Sequence, residues 1–328
     1  MQIFERVDCV KEQMNACGAK GVPFLFAFDF ELTEGIFVTR PREQKEILFQ
    51  TPLAGNKPDF EIPAGRDRAM IASPMSYEAY LSRFDVVRNG LKRGNSFLTN
   101  LTVKTPVSTD LSLKDIFLLS GSPYQLYVPG RFVCFSPERF VRIGQGVIST
   151  NPMKGTINAS VADAENKILS DYKETAEHHT IVDLLRNDLG MVAEDIRVER
   201  FRYIDRIKSR EREILQVSSE ITGKLKGNYC SQLGDLVFKM LPAGSVSGAP
   251  KKSTVQIIRD AEEESRGFYT GVFGYFDGAV LDSAVLIRYI EQDPAGQKYF
   301  RSGGGITVNS DPVSEYQEVF EKVYLPFV

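Results

Sequence analysis

Strand-like runs that follow one another through turn signals are the feature that most constrains the fold of this chain. Between residues 124 and 150, short apolar stretches alternate with turn residues, and Asp277-Gly278 separates two long strand-like runs. Asp-Gly in such a position is a strong hairpin signal, and strands joined by hairpins pair in an antiparallel sense. The sequence therefore predicts an α+β fold with antiparallel sheets and not a doubly wound parallel sheet.

Hydrophobic periodicity and turn residues place the other elements along the chain. Helices are predicted at residues 1–20, 76–94, 161–189, 229–240 and 252–265, with a closing helix that Asp311 caps and Pro312 begins. Further strands are predicted near residues 22–30, 96–103, 195–202 and 213–222. Most of residues 40–75, the segment 151–156 and the small-residue segment 241–252 are predicted to be loops or short elements.

Composition and charge exclude several classes of protein. The chain has 328 residues, of which 42% are hydrophobic and 25% are charged, and its formal net charge is -3. The two fractions are typical of a globular protein. The negative net charge does not indicate the positively charged surface with which proteins bind nucleic acid. No apolar run approaches the ~18 residues of a membrane span. The four cysteines form no Cys-x-x-Cys pair, which predicts reduced thiols and a cytoplasmic location.

Two pairs of carboxylates mark a candidate metal site. Glu174 and Glu177 lie in one predicted helix, and Glu315 and Glu318 lie in the closing helix. Because residues three apart share a helix face, the two members of each pair point in the same direction. Carboxylate oxygens suit Mg²⁺, which completes its coordination with water and an anionic substrate. The alternative is that each pair belongs to a solvated helix face.

Several other residues are candidates for binding an anion. Alternation places Arg288 on an apolar strand face, where a guanidinium needs either an internal carboxylate or a substrate carboxylate as its partner. Tyr269, in the preceding predicted strand, can donate a hydrogen bond to the same anion. Lys154 is predicted to lie in a loop, and a lysine in a desolvated site can act as a nucleophile, although most lysines are solvated. His178, one turn after Glu174, has either a site role or a packing role.

Two glycine-rich segments do not fit nucleotide-binding motifs. The segment 244–253 lacks the closing Gly-Lys-Ser/Thr of a P-loop, and the run Gly303–Gly305 is not a Gly-x-Gly-x-x-Gly turn. Both segments nevertheless allow backbone amides to approach an anion, because glycine has no Cβ. They therefore predict anion binding without a nucleotide.

These blocks together resemble the chorismate-utilising enzymes, a family that includes the anthranilate, aminodeoxychorismate, isochorismate and salicylate synthases. The matching blocks occur in the family's order within residues 77–326, which form the family core. They are S-P-E at 136–138, P-M-K-G-T at 152–156, K-E-T-A-E-H at 173–178, I-V-D-L-L-R-N-D-L-G at 181–190, G-S-V-S-G-A-P-K at 244–251, R-G-F-Y-T-G at 266–271, I-R at 287–288, G-G-G-I at 303–306 and S-E-Y-Q-E at 314–318.

The resemblance implies a fold like that of anthranilate synthase component I, with two packed antiparallel sheets flanked by helices. It implies one chorismate-binding catalytic domain over residues 1–328, in which residues 1–75 are a short N-terminal part. In this fold Glu177 and Glu318 would bind Mg²⁺ directly and Glu174 and Glu315 through water, so that the metal grips the ring carboxylate of chorismate. Glu138 resembles the general acid that helps the C4 hydroxyl leave. The implied substrate-binding residues are Gly155, Thr156, His178, Ser245, Tyr269, Arg288, Gly304, Gly305 and Lys322.

The residue after Pro152-Met153 distinguishes the branches of this family. It is Lys154 here, as in proteins that resemble aminodeoxychorismate synthase component I, the large subunit of p-aminobenzoate synthase. Anthranilate and salicylate synthases have alanine at that position. The family mechanism then implies that Lys154 attacks C2 of chorismate as the C4 hydroxyl leaves. Ammonia next adds at C4 and expels the lysine, which gives 4-amino-4-deoxychorismate for p-aminobenzoate and folate biosynthesis.

The resemblance also implies a partner and leaves alternatives. The chain has no Gly-x-Cys-x-Gly elbow, so ammonia is expected from a separate glutamine amidotransferase. Leu98 stands where isochorismate and salicylate synthases carry a lysine base, and Gln216 stands where most of the family has histidine. The N-terminal part lacks the block that binds tryptophan in anthranilate synthases, so no tryptophan feedback is expected. The alternatives are an anthranilate synthase component I and a catalytically silent scaffold for the partner.

Overall fold

The chain folds into two antiparallel β-sheets with helices on their outer faces. A computed structural model describes residues 4–59, 69–208, 213–325 and 327. The helices are α1 (Val7–Ala19), α2 (Tyr77–Lys92), α3 (Leu113–Leu119), α4 (Ala164–Ser170), α5 (Tyr172–Gly190), α6 (Leu233–Lys239), α7 (Gly244–Ser247), α8 (Lys251–Glu262) and α9 (Pro312–Glu321). None of these described helices is long and apolar enough to cross a membrane.

The strands alternate with these helices along the chain. They are β1 (Phe4–Arg6), β2 (Phe24–Phe28), β3 (Glu34–Thr39), β4 (Leu48–Gln50), β5 (Ile71–Ala72), β6 (Leu98–Ser108), β7 (Tyr124–Val128), β8 (Phe132–Ser136), β9 (Arg139–Gly144), β10 (Val147–Thr150), β11 (Met153–Asn158), β12 (Glu194–Lys208), β13 (Glu213–Lys224), β14 (Gly248–Ala249), β15 (Val272–Phe276), β16 (Leu281–Val285), β17 (Tyr289–Gln292) and β18 (Lys298–Ile306). Short 3-10 helices lie at Pro41–Glu43 and Tyr229–Gln232.

Each sheet is a continuous set of antiparallel pairs. The first sheet has the order β1-β3-β2-β15-β16-β9-β10-β13-β11, and β12 pairs with β13 beside this path. The second sheet has the order β14-β6-β18-β17-β8-β7-β4, and β5 pairs with β6. The prediction of antiparallel sheets is confirmed. The Asp277-Gly278 hairpin is confirmed as well, because it joins β15 to β16 and Gly278 has a φ of 108°.

The two sheets pack face to face through an aromatic core. Phe49 of the second sheet and Tyr275 of the first have ring centroids 5.2 Å apart. In β2, Leu25 and Ala27 belong to this inner core, whereas Phe24, Phe26 and Phe28 belong to the core under the helices. Both faces of the strand are therefore buried, which explains why its sequence is a continuous apolar run without alternation.

Helices cover the outer face of each sheet. On the first sheet, the core under the helices combines residues of α1, α5 and α6, including Met14, Leu185 and Val237. On the second sheet, α3 covers one end, and α2, α8 and α9 cover the other. Ser76 caps α2 by accepting a hydrogen bond from the Ala79 N–H, and Asp311 caps α9 with Pro312 in its first turn. These two helix starts were predicted correctly.

Several predicted elements were wrong in extent or type. The single helix predicted over residues 161–189 is two helices, because Asp171 has an extended backbone and caps α5 through the Glu174 N–H. The loop predicted at 151–156 instead contains the start of β11, which pairs with β13. Its register shifts between Lys154 and Thr156, where Gly155 has a φ of 77°. A glycine at a bulge looks like a loop signal in a sequence, although the strand continues through it.

Two further predicted segments differ from the structure. The small-residue segment between residues 241 and 252 contains the short helix α7 and the two-residue strand β14. Strand β12 runs from Glu194 to Lys208, well past the predicted 195–202, because it forms a long hairpin arm with β13. Parts of two other predictions, at residues 1–3 and 60–68, lie outside the described residues.

A buried ion pair joins the second sheet to the segment that precedes β15 of the first sheet. Arg266 and Glu262 are each 1% exposed, and the guanidinium donates to both carboxylate oxygens. The guanidinium also donates to the backbone carbonyls of Asn100 on β6 and Val246 on α7. Glu262 in turn accepts the backbone N–H of Thr102. One ion pair therefore fixes α8, β6, α7 and the approach to β15 relative to one another.

Replacing Arg266 by methionine should destabilise the protein strongly. The substitution leaves the Glu262 carboxylate buried without its cation, which typically costs about 3–5 kcal/mol of unfolding free energy. Urea denaturation followed by circular dichroism measures this change. Arg186→Met is the matched control, because Arg186 pairs with Asp183 on the exposed face of α5 and such a pair contributes at most about 1 kcal/mol. Equal losses in the two variants would contradict this role of Arg266.

Candidate active site

A cavity of about 630 Å³ lies where α5, α7, β11 and β18 meet the segments that follow β8 and β16. Its wall contains residues from distant parts of the chain, which the two-sheet architecture brings together. The predicted site residues that line it are Glu138, Lys154, Glu177, Ser245, Tyr269, Arg288, Gly304, Gly305 and Lys322. The structure therefore gathers both predicted catalytic residues and most of the predicted substrate-binding residues around one space.

Glu138 is the cavity carboxyl whose pKa the charged side chains of the cavity affect. It lies between β8 and β9, where its backbone N–H donates to the Ser136 hydroxyl. Burial raises the pKa of the Glu138 carboxyl above its ordinary value. A hydrogen bond from Ser245 opposes that rise, as do the positive charges of the cavity residues Lys154, Arg288 and Lys322. A carboxyl with a raised pKa keeps its proton to a higher pH, which suits a proton donor.

Lys154 reaches the cavity from a strand and not from a loop. It occupies the β11 position opposite Val217 of β13, just before the bulge. Its Nζ lies 3.8 Å from Oε2 of Glu177 on α5, and both side chains are about one-third exposed at 37% and 29%. A predicted nucleophile and a predicted metal ligand therefore face each other across the floor of the cavity.

The glycine after Lys154 makes room for a second carboxylate. A Cβ on Gly155 would lie 3.0 Å from Oε2 of Glu174, which is closer than nearly all real contacts, and the positive φ already favours glycine. Glu174 and Gly155 lie beside the cavity and do not line it. Thr156 is exposed and also lies outside the lining, opposite Gln216 in the strand register.

The opposite wall contains a similar arrangement around the β18 glycines. A Cβ on Gly304 would lie 3.3 Å from Oε2 of Glu315, which is buried on α9. Lys322, at the end of α9, donates to the Gly303 carbonyl at 2.9 Å and pairs with Glu318 at 2.8 Å. Glycines in β18 therefore let the strand backbone lie directly above the acidic face of this helix.

Arg288 does not occupy the strand face that alternation predicts. Strand β16 ends at Val285 and β17 begins at Tyr289, and Arg288 lies between them with a left-handed φ of 53°. This conformation turns the side chain out of the apolar alternation and into the cavity, where its Nε lies 3.4 Å from the Tyr324 hydroxyl. The prediction that Arg288 lies on an apolar strand face was wrong because the strand is interrupted.

Tyr269 supplies a neutral hydroxyl at the same end of the cavity. It lies in the turn before β15, whereas the sequence predicted it within a strand. Burial raises the pKa of its phenol to about 12, so the hydroxyl keeps its proton and can donate a hydrogen bond at neutral pH. Arg288 and Tyr269 together form a cationic and hydrogen-bonding end of the cavity that suits a carboxylate.

His178 is placed behind the cavity wall and does not line it. Its ring is fully buried, and Nε2 hydrogen-bonds with the Ser219 hydroxyl of β13 at 2.7 Å. Burial, followed by the charges of Arg202, His179 and Lys154, lowers its pKa to about 4. The imidazole is therefore neutral at pH 7. This position fits the packing alternative that the sequence left open, in which the ring ties α5 to β13.

The carboxylates on α5 and α9 suit a hard divalent cation in their chemistry. Among the described residues, however, no group of three or more His, Cys, Asp or Glu side chains is arranged to hold an ion. Two observations support the fit of these residues. The glycines Gly155 and Gly304 leave space that a Cβ would fill beside Glu174 and Glu315, and Glu177 itself lines the cavity. A carboxylate set of this kind matches the oxygen ligands that Mg²⁺ uses.

Several cavity residues were missed by the sequence reasoning. Asn100 on β6 lines the cavity, and its Oδ1 is buried with no hydrogen-bond partner in the described part of the chain. An asparagine inside a strand run is unusual, so that position was a detectable signal. Thr180, one turn after the acidic pair on α5, also lines the cavity, as does Gln216. Gln216 is not one of the missed residues, because the resemblance puts the family's histidine at that position in the active site.

Comparison with known proteins places the chain in a family. The model of the chorismate binding enzyme family matches residues 35–326. An uncharacterized PabA-like protein from Haemophilus influenzae is 50% identical over 317 residues, which are 96% of this chain and 95% of that protein. Aminodeoxychorismate synthase component 1 from Bacillus subtilis is 29% identical over 286 residues, which are 80% of this chain and 59% of that enzyme.

A solved structure shows the same fold. Anthranilate synthase component I from Streptococcus pneumoniae superposes with a TM-score of 0.64 at 27% identity, over 77% of this chain and 58% of that one. The chain thus spans less than two thirds of the length of either synthase component. The structural match confirms the predicted architecture of two antiparallel sheets with flanking helices. By the extent of the family match and by the cavity that gathers the family's blocks, this chain belongs to the chorismate binding enzymes.

Proposed function

We propose that this protein is an aminodeoxychorismate synthase component I, which converts chorismate and ammonia to 4-amino-4-deoxychorismate. The observation that carries the proposal is that Lys154 and Glu138 line one cavity, with the pKa of Glu138 raised by burial. A nucleophile and a proton donor are the two groups that the exchange of a C4 hydroxyl for an amine requires. The similarity to the Bacillus subtilis synthase component supports the same activity.

The reaction divides into two displacements. Lys154 Nζ forms a bond to C2 of chorismate, the two conjugated ring double bonds each move by one bond, and the C4 hydroxyl leaves as water with the proton of Glu138. Ammonia then bonds to C4, the two double bonds move back, and the C2–Nζ bond breaks. A proton of the added ammonia returns to Glu138, so that Lys154 is again a free amine and nitrogen replaces oxygen at C4 without any oxidation or reduction.

The remaining cavity residues bind and orient the substrate. Arg288 and Tyr269 suit the enolpyruvyl carboxylate, because a guanidinium and a neutral phenol hydroxyl both donate to it. Ser245 lines the cavity with Glu138 and opposes the rise in the pKa of that carboxyl. The backbone amides of Gly304 and Gly305 and the ammonium of Lys322 lie on the opposite wall. These contacts hold C2 near Lys154 and C4 near Glu138.

We also propose that Mg²⁺ is required. Glu177 and Glu318 would hold it directly, and Glu174 and Glu315 would hold it through water. When bound, the ion neutralises the ring carboxylate and makes the neighbouring ring carbon a better acceptor for a nucleophile. Ammonia is proposed to come from a separate glutamine amidotransferase, for which free ammonium can substitute. The product would then supply p-aminobenzoate for folate.

An anthranilate synthase component I is the second candidate, because the solved structure that matches at 27% identity is of that enzyme. In that reaction ammonia attacks C2 directly and pyruvate is released, so no lysine nucleophile is needed. The two functions therefore differ in the product. They also differ in whether Lys154 is required.

The purified chain with chorismate, Mg²⁺ and ammonium should form a product in which an amine replaces one hydroxyl and the pyruvyl group is retained. Mass spectrometry of the product measures this directly, and adding a lyase should convert it to p-aminobenzoate. Anthranilate with free pyruvate would establish the second candidate instead. No turnover with ammonium or with a glutamine amidotransferase partner would indicate the silent scaffold.

Lys154→Ala should lower formation of the C4-amino product by about 10³-fold or more, because the variant lacks the attacking amine. Initial rates with saturating ammonium measure the loss. Intact-mass spectra of the wild type without ammonium should also show a chorismate-derived adduct that the variant lacks. Lys226→Ala is the matched control, because that lysine is 75% exposed and pairs with Glu194 at the protein surface. A wild-type rate in Lys154→Ala would rule out the covalent route.

Glu177→Gln should raise the Mg²⁺ concentration that gives half-maximal activity by about 10-fold or more, because a neutral amide is a weaker ligand. Calorimetric titration of Mg²⁺ into the protein gives a readout that is independent of turnover. Glu194→Gln, on an exposed strand of the first sheet, serves as the control. An unchanged titration in Glu177→Gln would place the ion elsewhere.

A further inference from the structure

The proton donor and the nucleophile of the proposed reaction lie on strands that diverge before they reach the cavity. The backbone pairing of β9 with β10 runs as far as Arg142 and Ser149. The chain then passes from β10 into β11 along one edge of β13, whose other edge pairs with β12. Glu138 directly precedes β9, and Lys154 lies on β11. The described ladder between β9 and β10 therefore stops short of both residues.

Side-chain hydrogen bonds continue the connection past the end of this ladder. Thr150 Oγ1 donates to the carbonyl of Phe140 at 2.8 Å, and Arg139 Nη1 donates to Oδ1 of Asn151 at 2.8 Å. Arg139 directly follows Glu138, and Asn151 lies between β10 and β11. The second bond therefore links the residue after the proton donor to the segment that leads into the strand of the nucleophile.

A buried carboxylate fixes the orientation of the Arg139 guanidinium. Its Nε donates to Oδ1 of Asp282 at 3.0 Å, and its Nη2 donates to Oδ2 at 3.3 Å. The Tyr124 hydroxyl donates to Oδ1 of Asp282 at 2.9 Å, and both Asp282 and Tyr124 are buried. A guanidinium bound through two of its nitrogens has a fixed plane. The third nitrogen, Nη1, is thereby held in the direction of Asn151.

We propose that Arg139 is a positioning residue, which through Asn151 holds the strand of Lys154 at a fixed separation from Glu138. Neither Arg139 nor Asn151 lines the cavity, so both act through the residues that do. The link itself is seen in the contacts of these side chains. Its catalytic meaning rests on the proposed function, in which the bond to C2 forms as Glu138 protonates the leaving hydroxyl. Two groups that act in one step must be in place together, so a small displacement of either lowers the rate.

The test removes the link without exposing a buried charge. Asn151→Ala deletes the acceptor of Arg139 Nη1 and leaves the pair of Arg139 with Asp282 intact. The variant is mixed with chorismate and Mg²⁺ in the absence of ammonium, and intact-mass spectra follow the adduct on Lys154 with time. We expect the adduct to form about 10-fold more slowly or less, and to reach the wild-type amount.

The final amount of adduct separates positioning from a loss of folded protein. A merely structural role lowers the number of competent chains and hence the amount, whereas misplacement lowers the rate at full amount. In steady state, kcat should fall by the same factor, while KM for chorismate changes by less than about 2-fold. Asn151→Asp keeps an oxygen for Arg139 and should restore the rate. Asn166→Ala is the matched control, because it removes one exposed hydrogen bond to Asp163 and should leave the rate unchanged.

Hydrogen exchange of the substrate-free protein tests the link without any reaction. Amides of β11 should exchange about 5-fold faster in Asn151→Ala than in the wild type, which corresponds to the loss of one hydrogen bond. If Asn151→Ala does not fold, as judged by circular dichroism, Arg139→Lys keeps a cation beside Asp282 and lacks the arm that reaches Asn151. That variant should then show the same slowing of adduct formation.

A wild-type rate of adduct formation in Asn151→Ala, or a lower final amount at an unchanged rate, would overturn the proposal. A slow rate that Asn151→Asp fails to restore would also count against it. If the wild type forms no adduct and consumes no chorismate, the proposed function is wrong. Faster exchange of β11 in Asn151→Ala would then still support the link, and unchanged exchange would refute it.

Discussion

The buried ion pair between Arg266 and Glu262 is the interaction on which the rest of this structure depends. A guanidinium in an apolar core is stable only when its donors and its charge are matched, and here carboxylate oxygens and backbone carbonyls from three elements provide that match. The ring of Phe30 stacks against the remaining face, with its centroid 4.5 Å from the guanidinium carbon. The pair therefore specifies where β6, α7 and α8 lie relative to the first sheet.

The active-site wall is built on the same elements. Asn100 and Val246, whose carbonyls accept from Arg266, both line the cavity, and Thr270, which accepts from it, follows Tyr269. Asp188 holds the other end of the α7 turn through Gly244. Two buried charged groups thus constrain a short segment of small side chains that could not pack rigidly by itself. Rigidity of this kind matters because proton transfer depends on distances of a few tenths of an ångström.

The sequence predicted the fold class well where one kind of signal dominated. The apolar run at residues 22–30 was correctly predicted as a buried strand, which is Phe24–Phe28 in the structure. The helix start at Ser76 and the cap at Asp311 were also predicted correctly. The predictions were wrong at positions where the local sequence pattern favours one conformation and the tertiary pairing of strands favours another. Gly155 looked like part of a loop because the bulge that needs it forms only when β11 pairs with β13. Arg288 broke the predicted alternation because its left-handed backbone ends one pairing and begins another.

The site was predictable as a set of residue types and not as a geometry. Glutamates three apart on a helix indicate a shared face, and the Glu318–Lys322 pair follows from a spacing of four residues, but only the fold shows that Glu177 meets Lys154. These pairs balance charge in the cavity before a substrate arrives. Under the proposed function, the two carboxylates of chorismate would bind next to Arg288 and Lys322 and supply the anions that these cations require. In the same proposal Glu177 would be a ligand of Mg²⁺, and a carboxylate that binds the ion is no longer available to pair with Lys154, whose amine would then be available to C2.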